Sequence, residues 1–410
     1  MSLVFHQSYW KLFKSLEFSD KALTFLYFFA LVPCSVKLLM GINTRIGLDF
    51  FNPILDTLLL VILSLLGFRS FIKELKWWDI IVVLGIAWFV FWSPYIYPQT
   101  TLAVLEFGPY FVINCLPFYL VGASIHITRH EYLFGFIGRY GLLVNILICI
   151  LALLGFAQKL VAEGNNMELA YGLLPSLIFV TRDVFKNYNK TDFSLALIGS
   201  FLILALGCRG AFLAFAFFVV GEMILFKHYN YFLLSRLVIL LGAGICFLLL
   251  NPILLVMKYF TSSVGLETRV YDAILEGEIV STDSRDWIYE EVGNYILSDK
   301  GHIGYGLFYD RVLMGMERSS YAHNIIYELL LDFGVYLGSF LLIFFTSLFF
   351  INMIKAKGTS SCSMIFAFFC SCVICLFFSS SYLCNSIFWI FVGLMISTFR
   401  KTRHQLAGQF

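Results

Sequence analysis

Residues 324–351 read NIIYELLLDFGVYLGSFLLIFFTSLFFI, and this stretch decides the fold. As a helix it would be about 42 Å long at 1.5 Å per residue. A bilayer's hydrocarbon core is only about 30 Å thick, so the first turns can stand above the hydrocarbon or face a wet cavity. Asn324, Glu328 and Asp332 lie in those turns, and a spacing of four puts them on one helix face, where they are expected to line a cleft.

Working outward, eleven more apolar runs of spanning character appear, at about 22–41, 47–67, 78–95, 101–123, 133–157, 169–181, 192–207, 210–226, 235–257, 361–379 and 384–400. The chain has 410 residues, of which 60% are hydrophobic, 18% aromatic and 13% charged, a composition that excludes a soluble globular protein. Its 28 basic and 26 acidic residues leave a net charge of +2, too small and too dispersed for nucleic-acid binding. Residues 1–20 are amphipathic, with Lys11 and Lys14 and no small-residue cleavage site after them, so the first span is expected to serve as its own targeting signal. The expected fold is an all-α polytopic membrane protein of about 12 transmembrane helices.

Basic residues orient these spans. With the N-terminus cytoplasmic, the inside segments carry 17 of the 28 basic residues, whereas the short outside loops carry only Arg45, Lys159 and Arg209. This bias predicts an even number of spans with both termini inside. Nine N-terminal helices then occupy 1–257, an extracytoplasmic loop 258–321, and three C-terminal helices 322–410, all within one integral membrane domain. The loop between helices 9 and 10 holds 6 basic and 11 acidic residues in 64 positions, and a long polar loop in such a chain points to function on the outer face.

Of the ten cysteines, Cys372 and Cys375 have CxxC spacing, but their surroundings are apolar and no other ligand cluster accompanies them, so they read as core packing. Within the loop, Thr282, Asp283 and Ser284 supply helix-starting caps, and Ile288, Val292, Tyr295 and Ile296 follow at helical spacing. A short amphipathic helix is expected, lying on the membrane surface or on the helix bundle. Arg285 sits in its first turn, where it either pairs with Asp283 or Asp286 or shares an anionic ligand with the free N–H groups. Arg209 lies in a Gly207–Gly210 hinge at the lip of the hydrocarbon, where it either snorkels to the interface or meets a ligand approaching the backbone. His323, in the stretch Ser320, Tyr321, Ala322, His323, Asn324, is either a helix cap or a group suited to proton transfer near neutrality.

These pieces resemble the bacterial superfamily of O-antigen ligases and O-antigen or capsular polysaccharide polymerases. The matching residues are Cys208 to Ala211, Asp283 to Tyr289, Gly304 to Gly306, and Ala322, His323 and Asn324 through Glu328, Gly334 and Gly338. The resemblance implies that Arg209 and Arg285 engage the diphosphate of an undecaprenyl-linked glycan and that His323 assists attack by the acceptor hydroxyl, with inversion at the anomeric carbon. Together, Arg209, Arg285, Asn324, Glu328 and Tyr321 would bind substrate; no metal and no cofactor are implied. Implied partners are lipid-linked oligosaccharide donor and acceptor, the bilayer and a chain-length regulator protein, with no nucleic acid, at the bacterial inner membrane. The stretch from Ala322 to Gly338 reads closer to the polymerases than to the ligases, which transfer glycan to lipid A core. A transporter of lipid-linked sugar suits the span count equally well, but there is no matched pair of Gly/Pro-interrupted spans.

Overall fold

A computed structural model describes residues 16–32, 61–153, 166–186, 189–206, 208–226, 286–316, 321–378 and 380–407, together with 58, 255, 258, 259 and 275. The described helices are α1 (Phe18–Leu31), α2 (Phe68–Glu74), α3 (Trp77–Ile96), α4 (Thr101–Tyr110), α5 (Phe118–Ser124), α6 (Ile127–Leu153), α7 (Asn166–Lys186), α8 (Lys190–Ala205), α9 (Arg209–Leu225), α10 (Asp286–Leu297), α11 (Tyr309–Leu313), α12 (Ile325–Lys355), α13 (Ser360–Cys372) and α14 (Ser386–Ala407). No strand occurs among the described residues. Five helical stretches, Trp77–Ile96, Pro98–Ser124, His130–Ile150, Ile325–Lys355 and Ser360–Phe377, are long and apolar enough to cross a membrane. Each falls on one of the apolar runs read from the sequence; the run at 235–257, apart from residue 255, and most of that at 47–67 lie outside the described residues.

What covers these helices is visible in α3. Only 17% of its apolar window is buried against protein, and Trp77, Trp78, Leu84, Trp88, Phe91, Trp92 and Tyr95 are all exposed. An apolar face of this extent belongs in lipid, and tryptophans near both ends match the interfacial belts of membrane proteins.

The described residues divide into two compact units. In the first, Glu131–Ser281 supply most of the helices. Arg139 lies inside an apolar run, where an unpaired guanidinium would be costly. It meets the first turn of α8 in a two-point pair with Asp192, at 2.7 and 2.5 Å. At the C-terminal end of α7, Arg182 and Lys186 both reach Glu131, at 2.8 and 2.7 Å.

The second unit comprises Glu17–Ala30, Thr57–His130 and Thr282–Phe410. Its tightest joint is between α5 and α14. A Cβ on Gly122 would lie 1.9 Å from the carbonyl oxygen of Ile390, and one on Gly393 would lie 2.1 Å from that of Tyr119. Small residues on both sides let the two backbones touch, the usual device of helix pairs in lipid. At one end of this joint, buried Asp79 takes Arg400 at 2.6 Å, the Tyr119 hydroxyl at 3.3 Å and the Lys76 N–H at 2.9 Å, tying together α3, α5 and α14. Gly122→Ala is expected to lower the thermal midpoint of the detergent-solubilised protein or to prevent its recovery as a monodisperse species, because a Cβ there forces the two backbones apart and overpacking of this kind costs about 1–3 kcal/mol or more. Gly85→Ala, where an added Cβ meets nothing within 4 Å, is the matched control and should leave the midpoint unchanged.

Candidate functional site on the broken helix

The loop helix α10 forms where the apolar spacing places it. Ile288, Val292 and Ile296 are buried, and they pack with Tyr305, Ala322 and Leu331 rather than facing outward. Tyr289 stacks on Tyr327 of α12 with ring centroids 5.3 Å apart. Of the two placements the sequence leaves open, membrane surface or helix bundle, the structure has the bundle. Behind α10, Tyr305 stacks on Tyr309 at 4.6 Å and shares a 2.6 Å hydrogen bond with Ser298. Burial, and next the neighbouring Tyr295 and Tyr305, push the Tyr309 phenol up to about 12.

The sequence reads 324–351 as one unbroken span, and here the structure corrects it. At Gly334 the backbone takes φ 78° and ψ 169°, which splits α12 into two helices. A break of this kind frees carbonyls one turn earlier. The Tyr305 N–H donates to the Leu331 carbonyl at 2.9 Å, and the Gly306 N–H donates to that of Asp332 at 3.0 Å. Only glycine fits on either side of the contact. A Cβ on Gly334 would sit 2.4 Å from the His302 carbonyl oxygen, and one on Gly304 would sit 2.4 Å from the Gly334 nitrogen. The glycines of the 304–306 motif and of the 322–338 motif thus meet at one backbone junction.

The short first helix of α12 turns its acidic face inward. Glu328 is buried, accepting from the Ser381 hydroxyl and, at 3.2 Å, from the Tyr382 N–H. Asp332 accepts from the Tyr382 hydroxyl at 2.7 Å. Burial, and next the carboxylates of Asp332 and Glu328, push the Tyr382 phenol well above its usual range, so it remains a donor. The segment that carries it is held by the Trp389 indole N–H, which donates to the Tyr382 carbonyl at 2.9 Å.

Beside this cluster lie two buried residues of α11. Asp310 accepts from the Arg311 N–H at 2.9 Å and the Ala322 N–H at 3.1 Å. Burial pushes its carboxyl above the ordinary value, against the pull of the Arg311 guanidinium and of these N–H groups. The Arg311 guanidinium is only 1% exposed. It lies 4.8 Å from the centroid of the Tyr321 ring and 5.6 Å from that of Phe107, and it contacts the Cys384 sulfur at 3.4 Å.

His323 follows directly. Its ring rests on Tyr321 at 4.0 Å, and its backbone is left-handed, with φ 52°. The capping role falls to Asn324, whose side-chain oxygen accepts from the Ile326 N–H at 2.9 Å. Arg285 and its proposed caps, Thr282, Asp283 and Ser284, lie outside the described residues, one position or more before the first residue of α10. Arg209 opens α9, and its side chain likewise lies outside the described part. The structure therefore brings together Tyr321, His323, Asn324, Glu328 and Asp332. To these it adds Asp310, Arg311, Ser381 and Tyr382, which the sequence reading does not single out.

Arg311 was counted there among the loop's basic residues. Its one local signal is an Asp-Arg pair five residues beyond the Gly-Tyr-Gly turn. Among the described residues no three His, Cys, Asp or Glu side chains converge as they would on a metal ion. No protein-family model matches the chain, and no curated protein or solved structure is significantly similar to it.

Proposed function

We propose that the chain is a glycosyltransferase that polymerises undecaprenyl-diphosphate-linked repeat units of O-antigen or capsule on the outer face of the bacterial cytoplasmic membrane. One observation carries the reading. Three of the short motifs on which the family resemblance rests, at 283–289 (described from 286), 304–306 and 322–338, pack as one unit through the Tyr289–Tyr327 stack and the Gly304–Gly334 junction. In the proposed reaction an acceptor hydroxyl oxygen attacks the anomeric carbon of the donor glycan. The bond from that carbon to diphosphate breaks, the hydroxyl proton passes to His323, and the charge left on undecaprenyl diphosphate is met by Arg209 and Arg285. Such a donor has an activated leaving group, so positive charge and a base are the main requirements.

Purified protein in lipid nanodiscs, given a synthetic lipid-linked repeat, should produce a ladder of longer glycans. Transfer only when lipid A core is supplied would make it a ligase; passage of the repeat across a bilayer without bond formation would make it a transporter. The reading also requires twelve spans with residues 258–321 outside. A cysteine placed at Lys300, which is exposed on the loop, should react with an impermeant maleimide in intact cells, while one at Lys186 should not. The reverse pattern would overturn the orientation and every site assignment with it.

A further inference from the structure

We infer that Asp310 and Arg311 are positioning residues that hold the His323 segment in its left-handed backbone from beneath, an inference that rests on the reading of His323 as the base. A left-handed conformation is unfavourable for a residue with a Cβ, and it persists where the surroundings over-determine it. The residues on both sides of His323 are pinned. On one side the Asp310 carboxylate accepts the Ala322 N–H at 3.1 Å while its other oxygen accepts the Arg311 N–H at 2.9 Å. On the other, Asn324 is fixed as the cap of α12.

Arg311 completes the clamp through the side chains. Its guanidinium lies near two rings, Phe107 and the closer Tyr321, and the Tyr321 ring carries the imidazole of His323 at 4.0 Å. At 1% exposure the guanidinium is too deeply placed to meet a lipid-linked substrate, so its charge acts through the Tyr321 platform. Aspartate is required at 310 because both of its oxygens accept from N–H groups; an asparagine satisfies one and turns its own NH₂ toward the other.

Two variants of the full-length protein test this, Asp310→Asn and Tyr321→Leu. Tyr321 is only half-buried, so its replacement is compatible with folding even if the Asp310 change is not. The first readout is the rate at which diethylpyrocarbonate modifies His323, followed by mass spectrometry of the peptide that contains it. With the clamp removed the backbone relaxes, and the modification rate should change by about fivefold or more. The second, read on Asp310→Asn alone because the family resemblance places Tyr321 at the substrate, is the kinetic split in glycan transfer: kcat should fall by about 10- to 100-fold, as expected for a displaced base, with KM for the donor little changed. Variants that react with the reagent and turn over as the unmodified protein does would overturn the inference. So would a rise in donor KM at constant kcat in Asp310→Asn, which would make Asp310 part of donor binding. An unmodified protein that transfers no glycan, with reagent rates that still shift in the variants, would leave the clamp standing and remove the glycosyltransferase reading alone.

Discussion

His323→Ala should bind the lipid-linked donor nearly as well as the unmodified protein and transfer glycan roughly 10² to 10⁴ times more slowly. The direction of its pH dependence is fixed by the role. A base must be unprotonated to accept the hydroxyl proton, so activity of the unmodified protein should fall as the pH drops through the imidazole range. The residual activity of the variant should lack that acidic limb. Single-turnover transfer measured across the pH range, alongside equilibrium donor binding, separates the two effects. Normal turnover in the variant would move the base to a carboxylate, Glu328 or Asp332, each of which is 1% exposed and would have to be uncovered before a substrate could reach it. Both Glu328 oxygens are taken by Ser381 and Tyr382, whereas Asp332 Oδ1 has no hydrogen-bond partner among the described residues.

Arg285→Lys and Arg209→Lys should each abolish most transfer although the charge is kept. If both arginines grip diphosphate through two-point contacts, lysine loses the planar fork, and a lost charge-assisted contact in a dry site costs on the order of 1.5 to 3 kcal/mol. That corresponds to a fall of roughly 10- to 150-fold in kcat/KM for the donor. Arg285 directly precedes an anchored element, since α10 is fixed by Ile288, Val292 and Ile296. A circular-dichroism melt that matches the unmodified protein would exclude a mislaid helix as the cause of any loss. Lysine variants that transfer at full rate would show that a point charge suffices and would remove the two-point model.

How much of this was legible in the sequence depends on the range of the signal. Apolar runs are local, and the helices that fill them begin and end within a few residues of where composition changes, as at Trp77–Ile96 and Ser360–Phe377. The amphipathic period of α10 is also local, and the side chains it selects are buried as expected apart from Tyr295, which is partly buried at the edge of the same cluster. Partners are not local. The acids at 328 and 332 find Ser381 and Tyr382 about fifty positions away, and no pattern around 381 announces it. Asp310 and Arg311 look like ordinary loop charges because burial is a property of the assembled loop and not of its composition. The break at Gly334 escapes notice for a further reason: apolar residues continue through it, and only the arrival of residues 304–306 makes a bent backbone more favourable than a straight one.

That junction has a consequence for how the loop breathes. The amide hydrogens of Tyr305 and Gly306 belong to the turn before α11, but their acceptors are carbonyls of α12. They can exchange with solvent only when the turn lifts off the helix, and lifting it leaves two helical carbonyls bare in a buried place, which is costly. The turn and the broken helix therefore open as one cooperative unit. Motion of residues 304–306 on the slow timescale of local unfolding is in this way coupled to the first helix of α12, which carries Glu328 and Asp332.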